Sequence, residues 1–251
     1  MRQHCRTAYW LALTLGAASL VGCGFATHDP TGEPSAAAAR GGKSEANSDV
    51  NSHSKSDTNS DVIIARAPLT DAEWESLRGR TSLRELLLEQ GRADDSRAEI
   101  LATLTGLERL VLRDSPLGDE GFRSLVECHA LRDLNVPQAA CTAEGIRALA
   151  SLEHLRSLRL GGPRLSGKDV CEAVASLPQL RSLHLIDVPI GDDGLAVLQR
   201  LPGLWNLYLD GAGVSDEAWE RYFRCRPRVH VHIDQAHHDR DPRGHLHEQA
   251  P

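Results

Sequence analysis

A triplet of apolar residues in the pattern L-x-x-L-x-L recurs six times along this chain at an almost constant spacing, with Val136 in place of the last leucine of the third copy. The triplets begin at Leu83, Leu107, Leu131, Leu155, Leu180 and Leu204, so successive copies lie 24, 24, 24, 25 and 24 residues apart. A fixed period of this length is typical of proteins built from stacked structural repeats. Because each repeat packs against its neighbours, we expect an elongated domain whose large exposed face is suited to binding.

Each repeat has the same internal order of a short strand, a turn and an amphipathic helix. The second and third leucines of a triplet, such as Leu158 and Leu160, alternate as the inward positions of a strand do. A turn follows, and a polar residue backed by acids then starts the helix, as at 70–73 and 215–217. Strands lie roughly 4.8 Å apart and helices about 8–10 Å apart, so the stack should curve with its strands on the concave face.

The repeats extend beyond the six triplets at both ends. Residues 68–77 match residues 116–125 after a shift of two periods, which predicts that Val62 and Ile64 point inward on a first strand. At the other end, residues 231–233 continue the series one period after the last triplet. The sequence therefore predicts eight parallel strands.

The turn before each helix carries a second motif, close to [I/L]-T-D-x-G-L. It occurs at 117–122 and 190–195 and, more loosely, at 141–146. Together with the periodic leucines, this motif makes residues 60–234 resemble leucine-rich repeat proteins, and more narrowly their cysteine-containing subtype. The resemblance implies a curved α/β solenoid with parallel strands on the concave face and helices on the convex face. It does not specify a function, because members share a binding scaffold rather than an activity.

The first 22 residues resemble the signal peptide of a bacterial lipoprotein. Arg2 and Arg6 supply positive charge, and the mostly apolar segment 9–21 is short for a bilayer span, which needs roughly 20 apolar residues. The segment ends in Leu-Val-Gly-Cys, which resembles the lipobox that signal peptidase II cleaves before a lipid-modified cysteine. We therefore predict an exported protein of the bacterial cell envelope that lipid on Cys23 anchors to a membrane. An ordinary secretory signal with an incidental cysteine is the alternative.

Two polar segments flank the repeat domain, which we predict at residues 59–234. Residues 23–58 are rich in Ser, Asn, Asp, Gly and Ala. Such a segment cannot bury enough apolar surface to offset its ordering entropy, so it is predicted to be a disordered linker behind the lipid anchor. Residues 235–251 are predicted to form a disordered tail rich in histidine.

The charge of the mature chain argues against nucleic acid as a partner. The full chain has 28 basic and 35 acidic residues, and residues 1–22 contain two arginines and no acids. Removing that segment leaves 26 basic against 35 acidic residues, a net charge of −9. Domains that bind nucleic acid are usually basic, so this class is disfavoured.

Four cysteines remain once Cys5 and Cys23 are assigned to the signal peptide and the lipid anchor. They are Cys128, Cys141, Cys171 and Cys225. Their positions in the repeat alternate with apolar residues, and their spacing matches no zinc-binding pattern. A cysteine that is interchangeable with leucine fills space, so we predict four buried thiols, with a disulfide or a metal site as the alternative.

The predicted binding surface is the concave face of the sheet, which we call the strand face. Its outward residues mix charges with the apolar or aromatic side chains of Leu87, Val111, Ile186 and Tyr208. This mixture is typical of protein–protein interfaces, in which anchors are surrounded by a polar rim. We predict that a protein partner contacts Arg113, Arg159, His184, Tyr208 and Asp210. A solvated face without a dedicated partner is the alternative.

The C-terminal end of the strand face suggests a second function. His184, Tyr208 and His232 share one repeat position, and Asp210 and Asp234 share another nearby. Two imidazoles and two carboxylates can hold a divalent cation, and short His-rich tracts like the tail also bind metals. A metal-binding envelope lipoprotein is therefore the alternative hypothesis.

Catalysis has no support from sequence motifs. The nucleophile elbow G-x-S-x-G, the zinc motif H-E-x-x-H and the full phosphate-binding motif G-x-x-x-x-G-K-[S/T] do not occur in the chain. We predict a protein that is not an enzyme and that needs no cofactor.

Overall fold

One sheet of nine strands runs through residues 61–237, the part of the chain that the computed structural model describes. The predicted signal peptide, Cys23, the linker and the tail from residue 238 onward lie outside the described residues. The order of the strands in the sheet is their order along the chain. The first eight strands are parallel, as the leucine period predicts.

The eight parallel strands are short and pair in register, so that equivalent repeat positions stand side by side. For example, Leu158 pairs with Leu183, and Leu183 with Leu207. The strands are β1 (Val62–Ala65), β2 (Glu85–Leu88), β3 (Arg109–Leu112), β4 (Asp133–Val136), β5 (Ser157–Gly161), β6 (Ser182–Ile186), β7 (Asn206–Leu209), β8 (His230–Ile233) and β9 (Ala236–His237). The leucines of the triplets are therefore stacked in rows along the sheet.

Seven α-helices, each following a strand, complete the repeats. They are α1 (Asp71–Leu77), α2 (Ala98–Ala102), α3 (Asp119–Ser124), α4 (Ala143–Ala148), α5 (Gly167–Ala175), α6 (Gly191–Leu198) and α7 (Asp216–Cys225). Their starts follow the predicted polar signals: Thr70 and Glu73 form a reciprocal capping box, and the Ser215 hydroxyl accepts the Ala218 N–H at 3.2 Å. No helix between residues 61 and 237 is long and apolar enough to cross a membrane.

A single apolar core lies between the strands and the helices. The triplet leucines from Leu83 to Leu209 are buried, and each contributes about 1.5–3 kcal/mol relative to an exposed side chain. Trp74 and Trp219 are also buried, at the helix position that Phe122 fills in its own repeat. The described part of the chain is thus an α/β leucine-rich repeat solenoid.

In several repeats, an aspartate at the start of the helical segment forms hydrogen bonds with the next repeat. Asp119 Oδ1 accepts the backbone N–H groups of Thr142 (2.7 Å) and Gly145 (3.0 Å), so the first turn of α3 caps α4. Asp95 makes the same two contacts with Gly118 (2.7 Å) and Gly121 (2.9 Å) at the start of α3. The motif therefore encodes contacts between repeats as well as a local turn.

The glycine of the motif leaves room for that aspartate. A Cβ atom on Gly145 would lie 2.6 Å from Asp119 Oδ1, and one on Gly121 would lie 2.9 Å from Asp95 Oδ1. A side chain at either position would displace the carboxylate from the N–H groups that it binds. Each contact thus needs the aspartate of one repeat and the glycine of the next.

The first strand is displaced by one residue from its prediction. Val62 pairs with Glu85 and Ile64 pairs with Leu87, so both side chains lie on the strand face and not in the core. The inward positions belong to Ile63 and to Ala65. The reason is that the first repeat has 23 residues, from position 62 to position 85, and not 24.

Beyond the eight parallel strands, the sheet continues past the predicted domain end at residue 234. Asp234 and Gln235 have φ values of 49° and 68°, which is typical of the tight turn of a hairpin. The turn reverses the chain, and β9 pairs antiparallel with β8. The first residues of the predicted disordered tail therefore belong to the sheet.

Three of the four repeat-domain cysteines are buried thiols, as predicted. Desolvation raises the pKa of Cys128, Cys141 and Cys171 to about 12 in each case. The prediction is wrong for Cys225, which is exposed. Cys225 ends α7, the last helix before β8, and no helix of a following repeat within the described residues covers it.

Candidate binding face

The middle row of the strand face changes character along the sheet. Its members are the outward side chains that stand next to one another on successive parallel strands. From β1 to β8 they are Ile64, Leu87, Val111, Asn135, Arg159, His184, Tyr208 and His232. The row therefore has an apolar end, a polar centre and an aromatic end.

At the aromatic end, the ring of Tyr208 lies between two imidazoles, as predicted from the shared repeat position. Its centroid is 5.4 Å from that of His184 and 4.8 Å from that of His232, with tilted planes. His230, in the neighbouring row, meets Tyr208 edge-on at 6.4 Å. We call His184, Tyr208, His230, His232 and Asp210 the imidazole–tyrosine cluster.

A hydrogen bond between strands orients the first imidazole of this cluster. His184 Nε2 lies 2.8 Å from Asp210 Oδ2, and the two side chains are only 19% and 14% exposed. The backbone N–H of Asp210 also donates to Leu185 at 2.9 Å, which fixes the residue at the end of β7. This pair holds the His184 ring against Tyr208.

The other two imidazoles of the cluster contact each other. His230 Nε2 and His232 Nε2 lie 2.9 Å apart, and the rings are nearly perpendicular. At this distance one nitrogen donates its proton and the other accepts it. The cluster is thus linked by hydrogen bonds at both ends, with Tyr208 between them.

The geometry does not support the alternative metal site of His184, His232, Asp210 and Asp234. Asp234 lies in the hairpin turn, and its Oδ1 is already engaged by the Gly211 N–H at 2.8 Å. Within residues 61–237, no group of three or more His, Cys, Asp or Glu side chains is arranged to hold a metal ion.

The polar centre of the strand face contains an exposed cation beside a buried acceptor. Arg159 is exposed and stands between Asn135 and His184 on the neighbouring strands. The Asn135 Oδ1 atom is buried and accepts no hydrogen bond from the described residues. Arg113, the other predicted contact arginine, follows β3 and is exposed.

The apolar end is broader than the sequence predicted, because the shift of β1 adds two residues to it. Val62 is 39% exposed and Ile64 is 55% exposed. Leu87 is half-buried, whereas Val111, which was predicted to be exposed, is only 9% exposed. Val111 lies between Leu87 and Asn135 in the middle row, and these side chains shield it from both sides.

A cleft of about 710 Å³ lies outside the strand face, where α7 joins β8. It is lined by Pro202, Leu204, Trp205, Cys225, Arg226, Pro227, Arg228 and Val229. Trp205, whose role the sequence left open, is 62% exposed at its rim. The sequence also gave no signal for Arg226, whose guanidinium donates to the carbonyl oxygens of Gln199 (3.0 Å), Leu201 and Leu204 (3.3 Å). Arg226 therefore ties the end of α7 to the loop before β7.

The segment 162–168 matches the shorter phosphate-binding pattern G-x-x-x-x-G-K and lies between β5 and α5. Asp169 stands where the full motif has Ser or Thr. The Gly167 N–H donates to Pro189 at 2.9 Å, and Lys168 pairs with Glu172 at 3.2 Å. These groups are therefore engaged within the repeat stack.

No family model matches the chain, and no curated protein sequence matches it. Among solved structures, the chain is similar to an internalin (inlF) from Listeria monocytogenes str. 4b F2365, with 20% sequence identity and a TM-score of 0.40. The similarity covers 65% of this chain, which spans 57% of the length of that internalin chain. The assignment of the fold rests instead on the leucine period and on the in-register parallel sheet.

Proposed function

We propose that this protein is a non-catalytic binding module that engages a protein partner through its strand face. The observation that carries the proposal is the imidazole–tyrosine cluster, a preorganised aromatic anchor on an otherwise open sheet. Tyr and Arg dominate the binding energy of many interfaces, and Tyr208 and Arg159 stand two strands apart in one row. Of the other predicted contacts, His184 and Asp210 belong to the cluster of Tyr208, and Arg113 follows β3, two strands from Arg159.

The imidazole–tyrosine cluster is suited to recognition rather than to chemistry. His184 and Asp210 have the atoms of a general base, but a base needs a nucleophile within hydrogen-bonding reach. Within residues 61–237, no serine hydroxyl or cysteine thiol forms a hydrogen bond with His184. A half-buried tyrosine flanked by oriented rings instead offers contact area at a low entropic cost.

We further propose that lipid on Cys23 anchors the protein to a membrane of the bacterial cell envelope, with residues 23–58 as a tether. The support is the charged and apolar signal segment that ends in Leu-Val-Gly-Cys. The net negative charge of the mature chain supports a protein partner over nucleic acid. No cofactor is part of this proposal.

The binding proposal is tested by chemical cross-linking in native membranes, followed by purification of the full chain. Tyr208→Ala should reduce the recovered partner by about 30-fold, which corresponds to a hot-spot loss of ~2 kcal/mol. The matched control is Trp205→Ala, which removes an exposed aromatic side chain outside the strand face. Recovery that is equal for wild type and Tyr208→Ala would show that Tyr208 is not a contact residue, and no partner above background would indicate a purely structural lipoprotein.

The anchoring proposal is tested by metabolic labelling with a fatty acid and by fractionation of cells. Cys23→Ser should abolish the label and release the protein from the membrane fraction. Cys5→Ser, a change within the predicted signal peptide, should leave both unchanged. Label that persists in Cys23→Ser would assign the anchor to another residue.

A further inference from the structure

We infer that Arg159 and Asn135 form a subsite of the strand face that binds an acidic peptide segment of the partner. Arg159 receives a side-chain carboxylate, and the half-buried Asn135 side chain turns its buried Oδ1 outward to accept a backbone N–H of the same segment. This inference rests on the proposed function, since it names the chemistry of the partner at that surface.

Arg159 is a cation without a counter-charge in the described part of the chain. Its neighbours in the middle row, Asn135 and His184, are an amide and an imidazole, and no carboxylate lies within ion-pair distance of it. By contrast, Arg109 stands 3.9 Å from Glu85 on the same face, and Arg132 stands 3.6 Å from Glu108. The guanidinium of Arg159 is therefore available to an external carboxylate, which it can bind with two parallel hydrogen bonds.

The side chains next to Arg159 leave access to it. Ser157 precedes it by two residues on β5 and pairs with Ser182 on β6, so two short hydroxyl side chains flank the guanidinium in the neighbouring row. Asp210, the carboxylate of the imidazole–tyrosine cluster, is already bound by His184 at 2.8 Å. An incoming carboxylate therefore reaches Arg159 from the side of Ser182, because the carboxylate of Asp133 stands beyond Ser157 in that row.

Asn135 supplies the second half of the subsite. A buried acceptor without a hydrogen bond is unfavourable, and a ligand that brings a donor removes this penalty once the half-buried side chain turns Oδ1 outward. Asn135 and Arg159 are adjacent in the row and hence one strand spacing apart, roughly 4.8 Å. An acidic peptide carries a carboxylate acceptor and an N–H donor at about this separation, whereas a phosphodiester backbone offers acceptors only.

The surroundings also favour a peptide over a nucleic acid. Tyr208 follows His184 in the middle row, where an apolar side chain of a peptide could pack. The formal net charge of −7 repels a nucleic acid, which is charged at every nucleotide, more strongly than it repels a peptide with a single carboxylate. A short acidic segment with apolar neighbours satisfies both conditions.

The test is fluorescence anisotropy of the full chain with two labelled ten-residue peptides, one containing Glu and Leu and the other the same sequence with Gln for Glu. We expect about 10-fold tighter binding of the Glu peptide, as one charge-assisted hydrogen-bond pair provides. Arg159→Gln should abolish the difference between the peptides. Asn135→Ala should weaken both peptides by a similar factor, because it removes the backbone contact that they share.

Arg200→Gln is the matched control, because it removes the same charge from an exposed residue after α6. It should retain the preference for the Glu peptide, and thermal melting should be unchanged in Arg159→Gln and Arg200→Gln and no lower in Asn135→Ala. Equal binding of the Glu and Gln peptides, a preference that survives in Arg159→Gln, or tighter binding of a ten-nucleotide single strand would overturn the inference. If a partner is still cross-linked in a Tyr208-dependent manner, only this inference fails and the proposed function stands.

Discussion

His184 Nε2 lies 2.8 Å from Asp210 Oδ2, although the two residues are 26 positions apart in the sequence. They belong to neighbouring repeats, on β6 and directly after β7. Both side chains are mostly buried although they belong to the exposed face of the sheet. This contact fixes one of the two imidazoles that hold Tyr208.

A double-mutant cycle should detect this coupling in the stability of the protein. We expect His184→Ala and Asp210→Ala each to lower the free energy of unfolding. Because either substitution alone removes their shared hydrogen bond, the coupling energy should be about 1 kcal/mol. Urea unfolding followed by circular dichroism measures the four proteins. Additive effects would show that the two side chains do not interact in solution.

The contact of Asp119 with the next helix should be needed for stability. Asp119→Asn keeps one acceptor oxygen but loses the charge at the start of α4, so we expect a loss of about 1 kcal/mol. Gly145→Ala should have an effect of the same sign, because its Cβ would lie 2.6 Å from the carboxylate. Glu153→Gln, which removes a charge from an exposed residue of a turn, is the control for thermal unfolding. A melting temperature of Asp119→Asn equal to that of wild type would contradict the capping role.

The aspartates that bond to the next repeat, Asp119 and Asp192, should make the protein less stable in acid. Burial alone would raise the pKa of Asp119, but hydrogen bonds from Thr142 and Gly145 outweigh it and lower the pKa below its ordinary value. The backbone and hydroxyl of Ser215 lower the pKa of Asp192 in the same way. A lowered folded-state pKa gives stability that is present above the unfolded value of about 3.9 and is lost as the pH falls through the folded value.

Urea unfolding at pH 7, 5, 4 and 3 measures this dependence. The wild type should lose stability mainly below about pH 4. The double variant Asp119→Asn/Asp192→Asn should be less stable at pH 7 and should show a shallower decline in acid. Parallel pH profiles for the two proteins would assign the acid sensitivity to other carboxylates.

The repeat-domain thiols should differ in reactivity. Cys225 is exposed, whereas desolvation raises the pKa of Cys128, Cys141 and Cys171 to about 12 and leaves them as neutral thiols. Brief treatment of the folded chain with a maleimide, followed by peptide mapping, should modify only Cys225 among these four. Cys225→Ser should remove that modification, and urea should expose the other three. Rapid labelling of Cys141 in the native state would contradict the described burial.

The leucine period was sufficient to predict the core, because the position of a residue along its short strand decides whether its side chain is buried. A side chain that alternates along a short strand must face either the helices or the solvent, and the second and third leucines of each triplet face the helices. The stacking of Tyr208 between His184 and His232 followed from the same period, since equivalent positions stand next to each other. The contact of His184 with Asp210 could not be predicted from the period, because it depends on the rotamers of the two side chains.

Several predictions were wrong at the two ends of the repeat stack, where the spacing of the leucines gives no information. A repeat of 23 residues moved Val62 and Ile64 to the strand face, and the lack of a covering repeat left Cys225 exposed. At the hairpin turn, the carboxylate of Asp234 accepts the Gly211 N–H instead of completing a metal site. Each depends on how the stack begins or ends.

The sequence by itself determined the order of strand, turn and helix, the residues of the core and the stacking of equivalent positions, because these depend on contacts that recur at every period. Only the tertiary structure decided the partners of individual polar groups: Asp119 with Gly145, His184 with Asp210, and Arg226 with the carbonyl groups before β7. Hydrogen bonds are short and directional, and they join atoms of different repeats, so a spacing in the chain does not specify them.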